Sequence, residues 1–415
     1  MKSIGQYLRY GLCGVVAVCQ VTIMGAQDLS FRKNHVSWGM EVEGARLLSS
    51  EEYDRDFIRS HGARYYGLNV RFQPLRAYGD AYDRAFRFPS LEFGLLLGDF
   101  HDIHFYRERG NPSLRSGAGY MVAAYGAFRR DILSAGPFRL NYLFENGIGW
   151  SSRPYDGHTN PDNELVGSPF SVYFGMGLGG RLLLGPRWEA SLAFRFRHFS
   201  NGALDRPNKG INTVGVSAGV RYRLPSPGES SEVPAAFDTP VRKRFYLDLS
   251  VGWIARTFIE DWIHSVNTSP DDPAYRTRDF RLYSGIGTSL AAMYRYGIRF
   301  ASGVGVDYSY LPYVVDMKRT DRMRQREGLS YSRHCLGLSL RHEVFYKHFS
   351  LYFSLGYYLH RAVGGLSHEF EKPYYETLGL RYTFPFCERL YIGYHVKAHL
   401  FRADHIEFNV GCRIP

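Results

Sequence analysis

The sequence predicts an all-β protein, an antiparallel β-barrel of the outer-membrane kind with about eight strands per repeat and two repeats in tandem. Three observations carry this. After the first 26 residues no run of about 18 apolar residues occurs, so no helix can span a bilayer. In its place comes a succession of segments about ten residues long, separated by polar loops, with 32 Tyr, 29 Phe and 44 Gly in the chain. That usage suits aromatic girdles and curved strands. Finally, the segment WEASLAFRFRHFS alternates: Ala190, Leu192, Phe194 and Phe196 form one row, continued by His198 and Ser200, and Glu189, Ser191, Ala193, Arg195 and Arg197 form the other. Two successive arginines in one row fit a polar barrel interior better than the core of a soluble sandwich.

The elements follow in order. MKSIGQYLRYGLCGVVAVCQVTIMGA has a basic start, an apolar centre and small residues at its end, so residues 1–26 are expected to be a secretory signal peptide, with a lipoprotein site at Cys19 as the minor alternative. Residues 27–224 are then expected to form the first barrel, with strands at 36–48, 63–77, 86–99, 118–131, 137–151, 168–183, 188–200 and 212–224. Connections after the first, third, fifth and seventh strands read as long and the others as short, so long loops would lie at the external end and tight turns at the periplasmic end. Residues 225–243, PSPGESSEVPAAFDTPVRK, lack periodicity and read as a linker. Residues 244–415 repeat the scheme, with strands at 244–257, 279–294, 298–314, 331–346, 349–361, 374–384, 388–401 and 405–414. One larger barrel would use the same strands, but the linker favours two.

Three cysteines lie beyond residue 26, Cys335, Cys387 and Cys412, without metal-ligand spacing, so neither a metal site nor a disulfide framework is expected. The net charge of +11 points to anionic lipid headgroups as partner, not to nucleic acid, for a chain that is secreted. The loop DMKRTDRMRQREG, residues 316–328, carries Lys318, Arg319, Arg322, Arg324 and Arg326, a solvated basic loop or a phosphate contact.

Chemistry concentrates in RFRHFSNGALDRPNKGIN, residues 195–212. His198 and Ser200 stand two apart on a strand and point the same way, so the imidazole can act as general base for the hydroxyl. Asn212 enters the next strand on the same face and can orient the ring. Asn201, Gly202 and Asn208 are candidates for an oxyanion hole, with Gly202 and Gly210 permitting backbone turns. Polar side chains on a lipid-facing row are costly unless they act on something.

This segment resembles the active-site hairpin of the PagL-type lipid A 3-O-deacylases, also called acyloxyacyl hydrolases: His-x-Ser-Asn at a strand end, an Asn-x-Gly after about ten residues, and the third triad member two residues on. The resemblance covers residues 36–224 and implies an eight-stranded barrel whose last hairpin carries a membrane-facing site. It implies Ser200 as nucleophile and His198 as general base of an outer-membrane serine esterase that removes an acyl chain from lipid A of lipopolysaccharide, with Phe194 and Phe196 against the acyl chain. The third position departs, since the family pattern has Glu where this chain has Asn212. An Asn at that spacing is similar to outer-membrane phospholipase A, whose barrel of about twelve strands uses calcium, and this is the rival enzyme reading. Neither a cofactor nor a metal is called for by the serine mechanism. Insertion by the outer-membrane assembly machinery is expected of such a barrel.

Two further expectations concern the rest of the chain. A non-enzymatic pore or scaffold would use Arg195, Arg197, Arg221 and Arg223 on inward rows, although eight-stranded interiors are filled by side chains. In the second repeat the matching outward row reads Tyr394, Val396, Ala398, Leu400 and Arg402 with a tight turn around Ala403 and Asp404, so that repeat is expected to lack the catalytic motif and to serve a structural or lipid-binding role.

Overall fold

Period-two patterns of this kind pair into sheets, and in a computed structural model they close into two barrels. The structure describes residues 33–48, 58, 60–105, 116–225, 243–365 and 372–415. The expected signal peptide, Cys19 and nearly all of the linker lie outside the described residues.

The first barrel consists of β1 (Asn34–Leu47), β2 (Gly62–Pro74), β3 (Ser90–Phe105), β4 (Ser116–Ala135), β5 (Phe138–Ser151), β6 (Phe170–Leu183), β7 (Trp188–Ser200) and β8 (Ile211–Arg223). Each strand pairs antiparallel with the next, and β8 returns to β1 with Met40 opposite Val220. That closing pair rules out one larger barrel. One feature differs from the sequence reading. The connection between β2 and β3 is not short: residues 75–89 carry a 3-10 turn at Arg76–Tyr78 and a helix, α1 (Ala81–Ala85). A reciprocal capping box starts that helix, Asp83 N–H donating to Asp80 Oδ1 at 2.8 Å and Asp80 N–H to Asp83 Oδ2 at 3.0 Å.

The faces sort as the alternation predicts. Outward rows carry Met40, Val42, Leu68, Leu95, Leu192 and Val220, all exposed. Exposed aromatics mark the two ends, Trp38 and Trp188 at one and Tyr120 and Trp150 at the other, with the Trp188 and Tyr222 rings 5.0 Å apart. A continuous apolar wall bounded by aromatic belts is stable only against lipid. The lumen is filled by charge pairs. Arg197 is fully buried and donates to Glu43, Glu145 and Glu41 at 2.8, 2.8 and 2.9 Å. Arg195 reaches Glu41 and Glu145, while Glu92 holds Arg71 and Arg129 at 2.7 and 2.6 Å. Each charge has a partner, which is the condition for burying it, and the pore reading loses its channel.

The second barrel comprises β9 (Arg244–Arg256), β10 (Tyr283–Arg295), β11 (Phe300–Tyr310), β12 (His334–Tyr346), β13 (Phe349–His360), β14 (Tyr374–Phe384), β15 (Cys387–His399) and β16 (Arg402–Ile414), closed by β16 on β9. Its lumen has its own set of pairs, with Glu343 accepting from Arg413 at 2.7 Å and Asp248 from Arg381 at 3.1 Å. Helix α2 (Ile259–Asn267) follows β9, and α3 (Val314–Met323) follows β11. The basic segment 316–328 is therefore largely helical rather than a plain loop. The last turn is also displaced from its expected place: Leu400 and Phe401 take it, at φ 51° and 64°, while Ala403 pairs with Ala398 inside the hairpin and Asp404 is buried beside Arg256 and Arg361. Two consecutive left-handed residues are what a two-residue hairpin turn requires. Leu400 and Arg402 thus leave the outward row. Cys335, Cys387 and Cys412 are free thiols.

Candidate active site

Strand β7 delivers His198 and Ser200 to the loop end of the first barrel because the alternation begun at Trp188 runs without a bulge to Ser200. On one side His198 faces Asn212 across the β7–β8 ladder, and on the other it faces Phe174 across β6. The intervening Phe199 points inward and is buried, which leaves the His198 and Ser200 side chains half-buried on the outer wall.

His198 Nδ1 and Asn212 Oδ1 are 2.7 Å apart. The amide oxygen only accepts, so this bond puts the proton on Nδ1 and leaves Nε2 as the basic nitrogen. Ser200 Oγ accepts from Asn208 Nδ2 at 3.0 Å. The other oxyanion candidates are placed differently. Asn201 is buried in the loop scaffold, its side-chain amide donating to Ser168 Oγ at 3.1 Å and to the Asp205 carbonyl at 3.2 Å, and its backbone N–H donating to Asn208 Oδ1 at 3.2 Å. Gly202 and Gly210 both have left-handed backbone, φ 62° and 78°. At Gly210 a methyl group would lie 3.1 Å from His198 Cε1, so the absence of a side chain there leaves the ring its room.

Phe194 is 57% exposed and Phe196 is partly covered, both on the row below His198. Phe196 meets Phe174 edge to face with centroids 6.5 Å apart, and Phe174 meets Phe144 at 5.0 Å, so an aromatic track leads down the outer wall.

Sequence reasoning missed the loop at 152–169, which clasps the β7–β8 hairpin. Leu165 C=O accepts from Gly210 N–H at 2.9 Å and Glu164 C=O from Lys209 N–H at 3.0 Å, while the Glu164 carboxylate meets Lys209 Nζ at 3.1 Å. The clasp is itself held by fully or nearly buried asparagines: Asn163 Oδ1 accepts from the backbone of Leu165 and Val166, and Asn160 Oδ1 from Gly117 N–H at 2.9 Å. The run NPDNE, with two asparagines that serve local backbone bonds, was the available signal.

Closed eight-stranded barrels with an apolar wall, aromatic belts and filled polar interiors define the class as transmembrane β-barrels of the outer-membrane kind. Residues 82–221 match the lipid A 3-O-deacylase (PagL) family model and residues 247–415 match that of the acyloxyacyl hydrolase C-terminal domain. Among solved structures the chain is similar to Neisserial surface protein A (NspA), at 12% identity over 46% of this chain and 97% of that one with a TM-score of 0.28. It is also similar to the outer membrane enzyme PagL, at 15% identity over 43% and 97% with a TM-score of 0.26. A mutant of the Rh. blastica porin matches at 6% identity over 92% and 100%, with a TM-score of 0.16. No curated protein matches the chain.

Proposed function

We propose that the first barrel is an outer-membrane serine esterase that removes an ester-linked acyl chain from lipid A. The observation that carries this reading is the 2.7 Å bond between His198 and Asn212 beside Ser200 on a lipid-facing row, within the segment matching the lipid A 3-O-deacylase family. Ser200 Oγ attacks the ester carbonyl as His198 Nε2 takes its proton, and the tetrahedral intermediate collapses by expelling the alkoxide, which receives that proton from His198. Water, deprotonated by His198, then cleaves the acyl-enzyme and releases a fatty acid. Asn212 fixes the tautomer throughout. Asn208, which donates to the Ser200 hydroxyl, turns its amide to the developing oxyanion in this scheme. The acyl chain would lie along Phe194 and Phe196.

Mass spectrometry of lipid A from cells producing the wild type, Ser200→Ala or His198→Ala tests this. Loss of one acyl chain in the wild type alone is expected. Intact lipid A in all three, with the barrel inserted, would overturn it. The amide at position 212 favours a second reading, phospholipid hydrolysis, which release of fatty acid from phosphatidylethanolamine with and without a calcium chelator measures directly.

A further inference from the structure

The end of the first barrel opposite the Ser200 loop, where the β2–β3 connection and the β4–β5 and β6–β7 turns lie, holds a basin of about 860 Å³. Six arginines line it, Arg76, Arg84, Arg87, Arg139, Arg181 and Arg223, against a single carboxylate, Asp131. That carboxylate is taken up by Arg181 at 2.5 Å, and Arg181 also reaches Glu189 at 2.8 Å. Among the described residues the remaining five guanidiniums enter no ion pair. Arg84 donates to the Gly79 carbonyl at 2.7 Å, Arg139 to the Phe138 carbonyl at 2.9 Å, and Arg76 stands 6.0 Å over the Phe88 ring. The acids of the same connection face other work, since Asp80 and Asp83 cap α1.

The backbone is shaped to hold this arrangement. Arg87 and Phe88 both take left-handed conformations, φ 60° and 56°, and bring the chain from α1 back to the barrel rim. Across the basin the β4–β5 ladder slips between Asp131 and Leu133, which turns both Ile132 (44% exposed) and Leu133 (54% exposed) outward beside the arginines. Concentrated cationic forks next to an exposed apolar edge match a phosphate that carries hydrocarbon.

We propose that this basin is a second ligand site, separate from the Ser200 site, that binds the phosphate of an anionic lipid headgroup at the turn end of the barrel. The guanidiniums hold the phosphate oxygens in charge-assisted hydrogen bonds, and Ile132 and Leu133 take the start of the acyl chains.

Full-length protein refolded in neutral detergent, mixed with equal phosphatidylglycerol and phosphatidylcholine and measured by native mass spectrometry, tests the site. The expected result is about tenfold preferential retention of phosphatidylglycerol, lost in Arg76→Gln/Arg87→Gln/Arg223→Gln and unchanged in Ser200→Ala. Displacement by millimolar inorganic phosphate would assign the affinity to the phosphate alone, and resistance to it would add the lipid chain; both sustain a phosphate site. Equal retention of the two lipids, or a triple variant that retains phosphatidylglycerol as the wild type does, overturns the proposal. If the triple variant fails the heat-modifiability test for a closed barrel, Arg87→Gln alone carries the test, with about a threefold loss expected because its side chain is exposed on a turn.

Discussion

The last hairpins of the two barrels invite comparison. β7–β8 and β15–β16 each complete a closed sheet, and each places basic side chains inside, Arg195 and Arg197 in one and His395 and Lys397 in the other. They part at the tip. The first spreads residues 201–210 into a loop clasped by 152–169, and the second turns at once through Leu400 and Phe401. On the outward row the first offers His198 opposite Asn212, and the second Val396 opposite Ile406. A barrel wall thus tolerates either polar or hydrocarbon side chains at the same station, and what separates them is a loop long enough to bring Asn208 back over the strand end.

The comparison can be broken most decisively at Ser200. Ser200→Ala should lower lipid A deacylation by about 10⁴-fold or more, read as acyl release by mass spectrometry, while no single substitution in β15–β16 should approach that loss. Activity surviving in Ser200→Ala would return the two hairpins to equivalence. Next in size are the lumens. Glu145→Ala takes one carboxylate from Arg195 and Arg197, leaving them Glu41 and Glu43, and Glu343→Ala takes one from Arg381 and Arg413, leaving them Asp248. Each should cost about 3 kcal/mol in urea unfolding, because the buried cations then outnumber the carboxylates that compensate them. A large inequality would show that one interior is not closed as described.

A smaller effect sharpens the role of the amide. Asn212→Ala should reduce turnover about 100-fold with little change in substrate binding, and Asn212→Glu should raise turnover by supplying negative charge to the imidazolium. If Asn212→Glu is no faster than wild type, the ring is not charged in the limiting step. Smallest are two glycines with similar backbone, φ 78° at Gly210 and 72° at Gly328. Alanine at either should cost about 1 kcal/mol of strain. Only Gly210→Ala should also slow the reaction, since its methyl meets His198 whereas nothing lies within 4 Å of the other.

Much of this was readable in one dimension. A side-chain period of two gives strand faces directly, so the inward arginines and the outward His198, Ser200 and Asn212 followed from counting. The two-barrel division followed from the aperiodic stretch between them. What escaped had physical reasons. The five residues of α1 are too few to show a helical period, and its only mark was Asp80 and Asp83 at capping spacing. Leu400 and Phe401 are poor turn residues, so their left-handed conformation is imposed by the pairing of Ala398 with Ala403 and His399 with Arg402. The clasp on the β7–β8 hairpin joins Ser168 to Asn201 across more than thirty residues of chain, a distance no local pattern reports. The partners inside each lumen, such as Arg195 with Glu41, are chosen by closure of the ring of strands.

On the proposed reading, the outward stance of His198 and Asn212 also fixes the kind of rate law the reaction obeys. Reactants would then reach them by lateral diffusion within a sheet of lipid, and the controlling variable would be the mole fraction of substrate in that sheet and not its amount per litre. Diluting the bilayer with inert lipid should slow the reaction in proportion, and enlarging the aqueous volume should leave it untouched.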